Sequence, residues 1–235
     1  LAGLSVSVEC STVKGGEVGP QAAPRMFNVG VRGELPSHAV RAGRPVCEKR
    51  PPWVRQLHER HRSLGMHYLP LPPLPTGPVD LSAILQRIPH SDPPWWDRDL
   101  VDAFTNSLSA TQTRRMEALR DAPVRCFRTA YRRTRKGIAV WEMRRDAIAG
   151  CLRTTGGGSS RQAVAELGNG EIRVRWMTPL EYARLMGAGS YMLRSGTSNQ
   201  ALFGFGDAVV VDVIRWIGEH YLLPTLRAAA VIKAA

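Results

Sequence analysis

An α+β fold is predicted, and three observations predict it. A β-rich run bounded by Gly and Pro, Pro24 to Arg32, lies near the start. From residue 124 the apolar spacing changes from helical to alternating, in two runs that flank a basic turn. Further on, the alternating run Ile172, Val174, Trp176 leads into Thr178-Pro179-Leu180-Glu181, a capping box with proline at the first helical position. The chain has 235 residues, enough for one sizeable domain or two small ones with a real core.

The elements follow in order. After the first strand comes an Arg/Pro-rich stretch, then a short basic segment from Trp53 to His67. Pro70-Leu71-Pro72-Pro73-Leu74-Pro75 is stiff and extended, a spacer in preference to a PxxP ligand. Short amphipathic helices are predicted next. Leu81, Ile84, Leu85 and Ile88 share one face, Leu100, Val101, Phe104 and Leu108 a second, and Met116 with Leu119 a third. Trp95 and Trp96 are expected to anchor a small core. Val124 to Tyr131 and Ile138 to Arg144 are predicted strands around Arg132-Arg133-Thr134-Arg135-Lys136-Gly137, a β-ribbon with a basic tip. Leu152 to Gln162 combines glycines, serines and two arginines; it suits either a backbone-contacting loop or a flexible linker. The helix capped by Thr178 runs to Met186 and stops at Gly187. A last helix is predicted from Gly206-Asp207, with Asp207 as its cap and Val209, Val210, Val213, Ile214 and Ile217 buried.

Charge points to a class of partner. The net charge is +12, from 32 basic and 20 acidic residues, and 28 of the basic residues are arginine. Residues 1–34 are neutral and residues 166–235 carry +1, so residues 35–165 hold +11. Nine basic residues fall between Arg114 and Lys136, against Glu117 and Asp121. Such localisation suits a polyanion, because phosphate contacts release condensed counterions, although charge alone fits a solvated arginine-rich surface equally well. Arginine forks at a turn can reach two adjacent phosphate oxygens. No apolar stretch is long enough to span a membrane, no basic-then-apolar leader opens the sequence, and Cys10, Cys47, Cys126 and Cys151 lack disulfide or CxxC spacing. These features predict a cytoplasmic chain with reduced thiols. His58, His61 and His67 miss zinc-protease spacing, and no metal site is predicted.

Three segments, in this order, resemble the C-terminal half of the cytosine-5 DNA methyltransferases. Val18-Gly19-Pro20-Gln21-Ala22-Ala23-Pro24-Arg25-Met26-Phe27 is similar to the family's glycine-valine-proline-glutamine turn and QxRxR strand. Arg175 to Gly187 resembles its RxLTxRExARLQG block, and Asn199 to Val209 its final block. The departures are Ala23 and Leu180 where the family has arginines, Met186 for glutamine, Ala188-Gly189 for phenylalanine-proline, and Asp207 for asparagine.

The resemblance implies part of an α/β methyltransferase fold. Residues 1–34 would be a strand region of the catalytic domain, 35–190 a small mixed target-recognition domain, and 191–235 a C-terminal helix returning to the catalytic domain. Arg25 aligns with the arginine that contacts the target cytosine. The insert of about residues 35–165 would read double-stranded DNA, with Arg128, Arg132, Arg133, Arg135, Lys136, Arg153, Ser159, Ser160, Arg161 and Gln162 as contact candidates. Gly206, Asp207 and Ala208 would help hold S-adenosyl-L-methionine. The family's Pro-Cys-Gln nucleophile, Glu-Asn-Val strand and glycine-rich cofactor turn do not occur in the sequence. By the family's order they precede residue 1. The chain is therefore expected to be inactive alone and to need an N-terminal methyltransferase half, carried by a separate chain, for S-adenosylmethionine-dependent methylation of cytosine C5. With DNA as its partner the cytoplasmic chain is expected to be nucleoid-associated; the alternatives to this reading are a non-catalytic DNA-binding protein and a decayed remnant of the enzyme.

Overall fold

A computed structural model describes residues 6–14, 19, 21, 24–32, 50–61, 65–66, 72–74, 80–154, 161–192 and 196–227. Strands β1 (Val6–Lys14) and β2 (Pro24–Arg32) pair antiparallel over their full length, and the two-residue β3 (Gly65–Met66) adds in parallel to β1. Helix α1 (Pro52–Arg60) lies in the predicted basic segment, with proline at its start.

The second sheet is antiparallel throughout. It comprises β4 (Cys126–Arg135), β5 (Ile138–Met143), β6 (Gln162–Gly168) and β7 (Glu171–Trp176), in the order β5-β4-β6-β7. Both of its tight hairpins turn on two residues with positive φ. These are Lys136 (49°) with Gly137 (82°), and Asn169 (55°) with Gly170 (80°). Two successive positive φ values make the mirror-image turn whose twist matches the flanking strands, and glycine tolerates the second without strain.

Covering both faces of β6 creates two cores. Side chains alternate across a strand, so Val164 enters one core while Ala163, Ala165 and Leu167 enter the other. Helices α2 (Arg98–Asn106) and α3 (Ala110–Arg120) supply Phe104 and Met116 to the second core. Asp97 starts α2, its carboxylate accepting a hydrogen bond from the Leu100 amide at 2.9 Å. Trp96 sits between Phe104, Trp141 and Trp176, with ring centroids 6.2, 5.4 and 5.1 Å away. The small side chains of Ala163 and Ala165 leave room for these rings. Trp96 thus anchors a core, as expected. Trp95 lies at its margin, edge-on to His90 and under the Arg175 guanidinium.

The first core joins α4 (Pro179–Leu185), α5 (Ser198–Asp207) and α6 (Val211–Ile217) to the turn at residues 81–85 and to Ala149, Leu152 and Val164. The predicted capping box at Thr178 is present: its hydroxyl accepts from the Glu181 amide at 3.2 Å, and Glu181 accepts from the Thr178 amide at 2.8 Å. The Glu181 carboxylate also binds the Arg175 guanidinium in a two-point pair, with both side chains buried, and accepts from the Gln86 amide at 2.8 Å.

Four predicted elements differ. The helix over 81–88 is a single 3-10 turn, Leu81–Ala83, because the Gln86 amide is bound to Glu181 and not to a helical carbonyl. Leu81, Ile84 and Leu85 are nonetheless buried. Leu100 points outward from α2 and is half exposed. Arginines 132, 133 and 135 lie within β4, and the tip itself is only Lys136-Gly137. Asp207 ends α5 and does not cap a helix. Thr197 and Gln200 form an unpredicted capping box that starts α5 upstream, and the chain is extended at Ala208 and Val210 before α6. Of the apolar residues around α6, Val210, Val213 and Ile217 are buried while Val209 and Ile214 are exposed. Past α6 the helix widens into one π-helical turn, Gly218–Leu222. No helix among the described residues is long and apolar enough to cross a membrane.

Candidate nucleic-acid interface

Pairing between β4 and β6 ends at Tyr131 opposite Gln162, whereas pairing between β4 and β5 continues to Arg135 opposite Ile138. Residues 132–135 therefore extend past the sheet as a two-stranded ribbon. Alternation sends Tyr131, Arg133 and Arg135 to one face and Arg132 and Thr134 to the other. On the first face, Glu142 accepts from Arg135 Nε at 2.8 Å and meets Arg133 Nε at 3.2 Å. Arg133 also lies 4.9 Å from the centre of the Tyr131 ring and donates weakly to its hydroxyl. That hydrogen bond, then the nearby charges of Tyr131 and Glu142, hold its guanidinium above the ordinary arginine range.

Beside the ribbon is a cavity of about 400 Å³. Arg132, Arg133, Arg135, Arg144 and Arg153 line it, over a floor of Gly150, Cys151 and Gln162. Arg144 makes a two-point pair with Asp146, at 2.7 Å for each bond. Burial alone would raise the Asp146 pKa, but the Arg144 hydrogen bonds and charge outweigh it and hold the carboxyl below its usual range. The floor is fixed from beneath. Gln162 donates to the Gly150 carbonyl at 2.8 Å and accepts from the Gly150 amide at 3.0 Å. The Gln162 amide donates in turn to the buried Tyr182 hydroxyl at 3.1 Å. Five arginines around one concave site can bind an anion with several oxygens, as phosphate groups have.

The cavity gathers Arg132, Arg133, Arg135, Arg153 and Gln162 from separate parts of the sequence. Gln162 is a buried support whose carboxamide bonds both the amide and the carbonyl of Gly150. Lys136 is exposed at the ribbon tip. Arg128 is half-buried in β4 and donates to the Phe127 carbonyl. Arg161 stacks on Trp176, 4.9 Å from the ring centre, and burial pulls its pKa down despite the opposing charge of Tyr182. Ser159 and Ser160 lie outside the described residues. Arg25 belongs to β2, opposite Val13. Arg144 and Tyr131 escaped the sequence reading, because neither stands in the dense 132–136 run. The predicted strand boundary at Arg144 was the available signal.

The three residues expected to contact S-adenosylmethionine sit around the end of α5. Asp207 is exposed and Ala208 half-buried. Gly206 is sealed: a Cβ built there would lie 2.3 Å from the Arg153 carbonyl carbon and 2.4 Å from the Thr154 nitrogen. Backbone this close to its Cα leaves no space for a side chain and gives Gly206 a packing role. Among the described residues no three potential ligands cluster to hold a metal.

Two predictions follow from this support. Gly206→Ala is expected to destabilise the protein by about 1–3 kcal/mol, since the added methyl meets backbone and not a yielding side chain. A urea melt measures it, and an unchanged midpoint would refute the contact. Tyr182 concerns high pH. Burial raises its phenol pKa above the ordinary 10.0, partly offset by the Gln162 hydrogen bond and the Arg161 charge. The stabilisation is complete below the unfolded phenol's pKa and lost as pH rises beyond it, because the unfolded state ionises first. In an absorbance titration, Tyr182→Phe should lower by one the number of tyrosines that ionise only together with unfolding.

No protein-family model matches the chain, and no curated protein sequence matches it.

Proposed function

We propose that this chain is the DNA-recognition portion of a cytosine-5 DNA methyltransferase, acting with an N-terminal half that supplies the nucleophilic cysteine and most of the S-adenosylmethionine site. The observation that carries the DNA-binding part is the cavity beside the β4–β5 ribbon, with Arg132, Arg133, Arg135, Arg144 and Arg153 around it. The methyltransferase part rests on the three ordered sequence blocks. Within the second, Arg175, Thr178 and Glu181 form one buried hydrogen-bonded unit, which suits a block that organises a recognition domain. In this reading the chain binds and orients duplex DNA, and the chemistry at cytosine belongs to the other half. The site of action would be the nucleoid.

Selection from a random-sequence duplex pool, with excess nonspecific competitor, tests recognition. The expected result is enrichment of a short motif and affinity that falls steeply with salt. A chain that binds duplex no better than a neutral protein does would overturn the proposal. Labelled S-adenosylmethionine with duplex DNA tests the division of labour, and methyl transfer by this chain alone would refute it.

A further inference from the structure

The five arginines of the cavity are not equivalent. Arg133 and Arg135 share the Glu142 carboxylate, and Arg144 is clamped by Asp146. Arg132 and Arg153 make no ion pair with a carboxylate among the described residues, and both are exposed. Both line the cavity, Arg132 from the ribbon face opposite Arg133 and Arg135, and Arg153 from the segment after the fixed floor. Two carboxylates thus hold these three guanidinium groups as walls and offset two of their three charges, while Arg132 and Arg153 are left for a ligand.

The backbone that carries those two charges is constrained on both sides. Pairing to β5 through Val140 and Trp141 holds the ribbon. The second side is held by the Gly150–Gln162 carboxamide pair, by buried Leu152, and by Gly206 pressed against Arg153 and Thr154. Preorganised donors lose less entropy on binding than mobile ones. A concave site of this volume selects a compact anion, whereas a flat basic surface would accept any polyanion.

We infer that the cavity is a phosphate seat in which Arg132 and Arg153 grip one phosphodiester group of the bound nucleic acid, with Arg133, Arg135 and Arg144 as carboxylate-held walls. The inference rests on the nucleic-acid reading of the same site and adds which residues carry the electrostatic part of it. Contacts to phosphate position a duplex without reading its sequence, so the two arginines set affinity and register and leave base preference to other groups.

Equilibrium binding of a labelled duplex across a series of salt concentrations tests the assignment in the whole 235-residue chain. Each neutralised phosphate contributes about 0.9 to the slope of log K against log salt. Arg132→Gln and Arg153→Gln should each lower the slope, and the double variant should lose about 0.9, the contribution of the one phosphate they share. Arg215→Gln, on α6 outside the cavity, should leave it unchanged. Both seat residues are exposed, so their thermal midpoints should match the parent and confirm folding. A second arm measures the rise in melting temperature on adding pyrophosphate, expected in the parent and absent in the double variant. Slopes untouched by both single variants, with no pyrophosphate response, overturn the seat but leave duplex binding standing. A pyrophosphate response lost in the double variant, with no duplex binding by the parent, keeps the seat and overturns the duplex reading.

Discussion

Glu181→Ala is expected to destabilise the protein by about 3–5 kcal/mol, the usual cost of stranding one partner of a buried ion pair. The substitution leaves the buried Arg175 guanidinium without its carboxylate and also removes the partner of two backbone amides, Thr178 and Gln86. Those contacts join β7, the start of α4 and the turn after Leu81, three segments distant in sequence. Glu181→Gln keeps an acceptor for the amides but not the charge, and it should lose less. The charge itself is not required for stability. Replacing both partners by apolar residues of similar size, Arg175→Met with Glu181→Leu, should recover much of the loss, because desolvating two ions offsets most of their attraction. Chemical denaturation of the four proteins decides the matter. Equal losses in Glu181→Ala and in the double apolar variant would mean that the amide contacts, not the stranded charge, dominate.

Trp96→Ala should cost a similar amount, about 3–5 kcal/mol, by opening a cavity at the centre of the aromatic core. Phe104, Trp141 and Trp176 all lose their central neighbour, and the alanines of β6 are too small to fill the space. Trp96→Phe should be milder. It keeps a ring, and it removes an indole N–H that is buried without a hydrogen-bond partner. Thermal denaturation followed by near-ultraviolet circular dichroism reports both stability and ring packing. Retained tertiary signal and an unchanged midpoint in Trp96→Ala would place the core elsewhere.

What could be read before the fold was known depended on whether a segment's information was local. Pro24–Arg32, Glu171–Trp176 and the Thr178 capping box carry their own signals, and all three occur as read. Strand β6 was missed because both of its faces are covered. Gln162-Ala163-Val164-Ala165 therefore has no polar side to alternate, although Asn169-Gly170 was a hairpin signal that would have exposed it. The helix expected at 81–88 failed for the opposite reason. Its apolar spacing reports burial correctly, but a long-range bond from Gln86 to Glu181 takes the amide that another helical turn needs. At the candidate site, charge density marked Arg132, Arg133, Arg135 and Lys136. It could not show which of those charges are compensated, since Glu142 reaches its arginines only across a hairpin and Asp146 meets Arg144 only after the strand ends. The burial of Gln162 was not legible either, because a polar side chain in a glycine-rich stretch gives no sign of it.

The β4–β5 ribbon has a further consequence for handling the protein. β5 is an outer strand, and residues 132–135 have lost β6 on their other side, so the ribbon presents two open edges close to the exposed Ile138. Such edges recruit strands from other copies unless charge repels them. Arg132, Arg133, Arg135 and Lys136 supply that repulsion in the free protein. Stripping several of them at once would weaken ligand binding and invite self-association together, so single substitutions are the cleaner instrument for separating the two.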